Sequence, residues 1–168
     1  MDMSDNRRIE APREVVWAAL NDPDVLKACI PGCESVEKTG ENELEAKVTL
    51  KIGPVKASFT GKVTLSNIDP PNGYTISGEG QGGVAGHARG GADVRLEADG
   101  DATILHYTVR AEVGGKIAQL GSRLIDSTAK KLAGEFFENF GEAVAPSAEE
   151  AGEEGEKPKG KWWKLGRA

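Results

Sequence analysis

Two cysteines, two histidines and an aromatic share of 5% leave this 168-residue chain short of the side chains that most metal, redox and stacking chemistry uses. Cys29 and Cys33 frame Ile30, Pro31 and Gly32 in a C-x-x-x-C spacing, while His87 and His106 lie far along the sequence. Two thiolates alone do not close a tetrahedral zinc site. A disulfide does not persist in a reducing cytoplasm. Both thiols therefore read as small apolar residues at a helix end, and no metal site is expected. A catalytic constellation is missing too, with neither a nucleophile elbow nor a metal-ligand cluster. Gly78-x-Gly80-x-Gly82 has the glycines of a phosphate loop but lacks the lysine and the helix N-terminus that phosphate binding needs. The expected reading is a protein that is not an enzyme, with no intrinsic cofactor.

Also absent are a long apolar run and an excess of base. No stretch approaches the ~20 apolar residues of a spanning helix, and Met1-Asp-Met-Ser-Asp-Asn-Arg-Arg has no apolar signal core. The net charge is −6. Within residues 146–168 five acids and five bases cancel, so that charge belongs to residues 1–145. An acidic body of this kind excludes nucleic acid as a natural partner. The expected location is cytoplasmic, with any membrane touched peripherally from its inner face.

What is present at the C-terminus points to such a contact. One compact domain is expected over residues 1–144. Residues 145–156 hold Glu149, Glu150, Glu153, Glu154 and Glu156 among Ala and Gly, and read as an acidic disordered linker. Residues 157–168 then carry Lys159, Lys161, Trp162, Trp163, Lys164, Leu165 and Arg167 without an acid. Tryptophan rings suit headgroup depth and the cations suit acidic lipids, so this segment reads as a membrane-binding plug.

Periodicity sets the domain's class. Pro12 opens a short helix whose Val16, Ala19 and Leu20 share one face. Asp22-Pro23-Asp24 caps a second, which Pro31-Gly32 stops. Alternating stretches follow: Leu44 to Ile52, Val55 to Leu65, Tyr74 to Gly78, a return through Gly86, Ala88 and Gly90 to Leu96, and Leu105 to Val113. His87 and Arg89 fall on the outward parity of their strand, and His106 lies opposite Leu105 and Tyr107. From about Lys116 to Val144 the period becomes helical, with Ile117, Leu120, Leu124, Leu132, Phe136, Phe137 and Phe140 as one stripe. That predicts a helix about 40 Å long. The class is α+β: an antiparallel sheet, a long closing helix and two short ones.

The sheet's inward positions include Gly78, Gly80, Gly86, Ala88 and Gly90, which offer almost no volume. Interiors normally pack to a density of about 0.74. Two readings remain open: a cavity beneath the helix, or glycines that mark bends of a strongly coiled sheet. A cavity would be walled by Phe59, Ile76, Gly78, Ala88, Leu120, Leu124, Phe136 and Phe137, with Tyr107 or Tyr74 as polar contact for a ligand headgroup. An apolar cavity without catalytic groups suits binding rather than turnover.

Trp17-x-x-Leu20-x-Asp22-Pro23-x-x-Leu26-x-x-Cys29-Ile30-Pro31-Gly32-Cys33, the glycine-rich central hairpin, and Gly121-x-Arg123-Leu124 leading to Phe136-Phe137 carry a resemblance. Over roughly residues 7–144 the chain resembles the CoxG family of carbon monoxide dehydrogenase accessory proteins, part of the START-like (SRPBCC) helix-grip superfamily. Met1–Glu10 departs from it, being more polar than the family's usual first strand. The resemblance implies a sheet of about seven strands wrapped around the long C-terminal helix over a ligand cavity. It implies partnership with a molybdenum carbon monoxide dehydrogenase or a related molybdenum hydroxylase. It also implies a non-catalytic role in membrane attachment and in handling a respiratory quinone such as menaquinone. Two alternatives stand beside this: an adaptor that recruits the enzyme without binding a ligand, and a cyclase-type enzyme of the START-like class.

Overall fold

The computed structural model describes residues 1–145. The segment 157–168 expected to bind a membrane, and the expected linker beyond Ala145, lie outside the described residues. The sheet holds β1 (Asp2–Ile9), β2 (Cys33–Gly40), β3 (Glu43–Ile52), β4 (Val55–Asp69), β5 (Gly73–Gln81), β6 (His87–Asp99) and β7 (Ala102–Gly114). Between β1 and β2 come α1 (Arg13–Leu20) and α2 (Pro23–Cys29), and α3 (Ser122–Val144) closes the domain. The spatial order is β1-β7-β6-β5-β4-β3-β2, with all neighbours antiparallel. Strands β2 to β7 form one meander. The polar β1 joins it by pairing along β7, from Asp2 opposite Arg110 to Ile9 opposite Thr103. This is the α+β helix-grip architecture.

The local signals act as their chemistry requires. Asp22 accepts a hydrogen bond from the Asp24 amide at 2.9 Å and caps α2, with Pro23 in its first turn. Val16, Ala19 and Leu20 form the buried face of α1. The side-chain amide of Asn139 on α3 donates to the Cys29 carbonyl at 3.0 Å, which ties the end of α2 to the long helix. Cys29 is buried and Cys33 half-buried, and both are free thiols.

Two expectations need correction. The helical stripe is not one helix from Lys116. Residues Gly115–Leu120 form a 3-10 turn, and α3 begins at Ser122 after Gly121, whose φ of 97° is open only to glycine at low cost. Ile117 and Leu120 therefore belong to the connection, and α3 is about 34 Å long rather than 40 Å. Gly86 is likewise not a strand residue. It ends a 3-10 turn, Gly83–Ala85, that links β5 to β6.

The core falls into two parts. One groups Ile9, Val16, Leu20, Cys29, Tyr74, Val94, Leu96, Leu105, Tyr107 and Phe140, with Trp17, Phe136 and Phe137 packed against them. The other is small: Ile52, Ala85 and Ile117, with Leu50, Phe59, Val113, Leu120, Leu124 and Ile125 around them. Of α3 only Phe140 is fully buried.

Candidate functional site

Between the two cores lies the region the glycine pattern singles out. Ala46, Val48, Val63, Ala88 and Ala111 of the strands, and Ala129 and Leu132 of α3, are half-buried and belong to neither cluster. The register lines up Ala46, Gly61, Gly80 and Ala88 across β3, β4, β5 and β6. Small residues thus face each other from sheet and helix. The glycines, however, do different work. A Cβ at Gly61 or Gly80 would find its nearest atom at 3.7 Å or 3.9 Å, so either position would accept a methyl group in ordinary contact. A Cβ at Gly90 would collide with the Arg110 carbonyl, one at Gly91 would stand 2.7 Å from the Ile76 carbonyl, and one at Gly82 would enter the Phe59 ring. Those three permit close strand approach and bending. Gly78 is intermediate, 3.0 Å from the Lys62 carbonyl.

A groove of about 520 Å³ opens on the flank of this region. It exists because β2 stops short of its neighbour. Cys33 pairs with Val48, and the Ile30-Pro31-Gly32 turn approaches β3 only through the Thr49 amide, which donates to the Gly32 carbonyl at 2.9 Å. A side chain at Gly32, where φ is 75°, would strike the Thr49 carbonyl. Leu50, Leu124 and Leu132 give the groove an apolar floor, while Thr49, Thr128, Lys51, Lys131 and Glu135 supply a polar rim. Thr49 Oγ1 also contacts Glu34 and lies 2.9 Å from Ser58 Oγ. Such a site can hold an amphipathic molecule, its body on leucine and its polar end among hydroxyls and ammonium groups.

The sequence-predicted lining residues divide between these regions. Leu124 borders the groove, and Phe59 and Leu120 pack with it in the small core. Gly78 and Ala88 sit on the strands between the cores. Ile76, Tyr107, Phe136 and Phe137 belong to the large core. There Tyr107 stacks on Phe137 at 5.1 Å, Phe137 meets Phe136 edge-on at 5.0 Å, and the Arg7 guanidinium covers Phe137 at 5.6 Å. Tyr74 packs on Trp17 at 5.1 Å and shares a cross-strand row with Val94 and Tyr107. Burial pushes the Tyr74 phenol up to about 12. Burial first, then Asp5, raises Tyr107 as well. Both phenols therefore stay neutral and act, if at all, as hydrogen-bond groups.

Sequence reasoning missed Pro31, Thr49, Lys51, Thr128, Lys131 and Glu135. The signal was available on α3, where Leu124, Thr128, Lys131 and Glu135 recur at helical spacing on one face. On the strands it was hidden, because only the register shows that β2 begins no further along β3 than Val48. The histidines are surface residues as expected: His106 Nε2 meets Glu97 at 2.9 Å, and His87 is exposed. Burial pushes the Cys29 thiol up to about 11, with Glu142 adding to the effect, so it is unreactive near neutrality. Among the described residues no group of three or more His, Cys, Asp or Glu side chains is placed to hold a metal. No helix among them is long and apolar enough to cross a membrane.

The same fold recurs in solved structures. A conserved protein from Geobacillus kaustophilus is 32% identical, with a TM-score of 0.81 over 86% of this chain and 95% of that one. A START superfamily protein from Mycobacterium smegmatis is 13% identical, with a TM-score of 0.66 over 85% and 96%. The ZhuI aromatase/cyclase from Streptomyces sp. R1128 is 16% identical, with a TM-score of 0.60 over 86% and 93%. The last two share the fold alone. Among curated proteins none matches the chain significantly. The CoxG family model, which describes the G subunit of carbon monoxide dehydrogenase, matches residues 6–145, from within β1 to just past the end of α3. Motif, fold and family match span the same residues, and the chain belongs to the CoxG family.

Proposed function

We propose that this chain is a non-catalytic accessory protein of a molybdenum carbon monoxide dehydrogenase, or of a related molybdenum hydroxylase, and that it carries a lipophilic ligand. The family description supports the accessory role. The observation that carries the ligand reading is the row of small residues between the two cores. It runs through Ala46, Gly61, Gly80 and Ala88 on the strands, with Ala129 and Leu132 on α3 outside both clusters. Natural cores do not leave facing small residues without reason, because each unfilled methyl-sized void costs about 1 kcal/mol. A respiratory quinone such as menaquinone suits the arrangement. Its isoprenoid chain needs only apolar contact, and the rim beside Lys51, Thr128 and Lys131 offers donors for carbonyl oxygens.

Linkage to the membrane belongs to residues 157–168, where Trp162 and Trp163 stand among Lys159, Lys161, Lys164 and Arg167. Near an anionic leaflet each cation contributes at most about 1 kcal/mol, so attachment is reversible. That suits a carrier working between a bilayer and an enzyme.

The decisive experiment is uptake. Purified protein is mixed with menaquinone in mild detergent, re-isolated and examined by native mass spectrometry. One bound quinone per chain is the expected result, lost in Gly80→Leu. An unliganded protein under all conditions would leave only a recruiting adaptor.

A further inference from the structure

The connections at the two ends of the sheet differ in charge. At one end lie Ala11–Pro12 after β1, the β2–β3, β4–β5 and β6–β7 turns, and the start of α1; the Arg13 guanidinium donates to the Asn72 side chain there at 2.6 Å. This end carries Glu10, Glu41, Glu43, Asp69, Asp99 and Asp101 against Arg13, with Arg8 reaching in to Glu10 and Asp99. At the opposite end lie the β3–β4, β5–β6 and β7–α3 connections. They hold Lys51, Lys56, Lys116 and Arg123, and no acid occurs within 51–56, 82–86 or 114–123. On the sheet the neighbouring acids are Glu79 and Glu112, which flank Arg89 in one cross-strand row on the outer face, Arg89 lying 3.3 Å from Glu112; on α3 the exposed Asp126 follows, and Glu135 stands on the groove rim. An acidic domain therefore presents one cationic end.

At that end Val84 stands 94% exposed, on a turn whose other residues are Gly82, Gly83, Ala85 and Gly86. A side chain at Gly83 would meet nothing within 4 Å, so the tip projects freely. Ala85 is buried and holds the base of the turn against Ile117. A lone apolar side chain on a projecting, uncharged tip, at an end whose connections carry cations and no acid, is poor material for a protein interface, which needs a broad complementary patch. It does suit a lipid surface, where the headgroups adapt to whatever enters.

We infer that this end of the sheet docks on an anionic lipid surface with Val84 inserted among the headgroups. The groove bordered by Lys51, Gly53 and Leu124 opens beside the same end. Docking there presents the groove to the bilayer, a consequence that rests on the carrier reading, whereas the docking itself does not.

The test places an environment-sensitive nitrobenzoxadiazole label at Val84→Cys, or at Asp101→Cys on the acidic end, in the full chain carrying Cys33→Ser. Vesicles of phosphatidylcholine with phosphatidylglycerol are compared with phosphatidylcholine alone. The expected result is a blue shift at position 84 with the anionic vesicles only, weakened by salt, and none at position 101. No shift at 84, or an equal shift at 101, overturns the proposal and leaves an acidic macromolecule as the partner of this end. In the second arm, Val84→Asp lowers partitioning to the anionic vesicles about tenfold in a chain that also carries Trp162→Ala and Trp163→Ala. Unchanged partitioning overturns it. Quinone uptake from detergent is expected to survive Val84→Asp. Uptake absent in the unsubstituted chain would remove the carrier reading and leave the docking standing.

Discussion

At one end of the sheet, where β1, β7 and β6 meet α1 and the last turns of α3, the inward strand rows carry Tyr, Val and Leu and pack against Phe136, Phe137 and Phe140 of α3. Toward the middle, short of the small core around Ile52 and Ile117, the same alternation places Ala46, Gly61, Gly80 and Ala88 on β3 to β6, and α3 carries Ala129 and Ala133. Backbone geometry is shared; side-chain volume is not. The fold is thus held chiefly by the large core, while the middle of the sheet contributes little side-chain volume. A protein stable by only 5–15 kcal/mol can leave part of its interior unfilled only if another part is well packed.

Substitutions at each end put this contrast to the test. The largest effect is expected at Phe140, fully buried at the solid end and stacked on Phe136 at 5.6 Å. Phe140→Ala should cost about 3–5 kcal/mol in chemical denaturation. The glycines come next. Gly90→Ala forces a Cβ into the Arg110 carbonyl and should destabilise by about 1–3 kcal/mol. Gly80→Ala meets nothing closer than 3.9 Å and should be neutral or stabilising by up to about 1 kcal/mol. Equal losses at both positions would mean that both glycines serve only the bend of the sheet. Asn139→Ala removes the bond that fastens α3 to Cys29 and should cost about 1 kcal/mol.

Alkaline titration gives a further contrast. The Cys29 thiol ionises near 9 when unfolded and about 11 when folded, and the Tyr74 phenol near 10 and about 12. Both folded values are raised, so the neutral forms favour the native state. Their contribution is full below pH 9 and is lost as pH rises through 9 to 12. Melting temperatures should fall across that range, and Tyr74→Phe should remove the part of the fall that begins near pH 10. At neutral pH, Cys33 should react with a thiol reagent well before Cys29. The smallest effect is expected at the surface: His106→Ala, which breaks the exposed contact with Glu97, should change stability by less than about 1 kcal/mol.

Much of the fold was legible in the residues. The Asp22 cap, the Val16-Ala19-Leu20 face and the inward parity of Tyr74, Ile76, Val94 and Leu96 all follow from local chemistry and period. The break before α3 was legible in principle, but Gly121 inside an apolar stripe does not show whether the stripe continues through it. The groove was less legible. Thr49 and Lys51 look like ordinary outward strand residues, and they border the groove only because β2 begins opposite Val48. The roles of the glycines were not legible at all. Gly80 and Gly90 are alike in sequence and in parity, yet a Cβ on the first would rest 3.9 Å from its nearest neighbour and one on the second would strike the Arg110 carbonyl.

The order of residues was enough to set the secondary elements, the facing of each strand, the acidic character of the body and the scarcity of volume at the sheet's middle, because periodicity, capping and charge are properties of neighbouring residues. Folding in three dimensions settled the rest: which glycines admit close strand approach and which would accept a side chain, where β2 leaves an opening, and which loops gather at the cationic end. Those outcomes depend on register and on distances between backbones far apart in the chain, which local pattern does not encode.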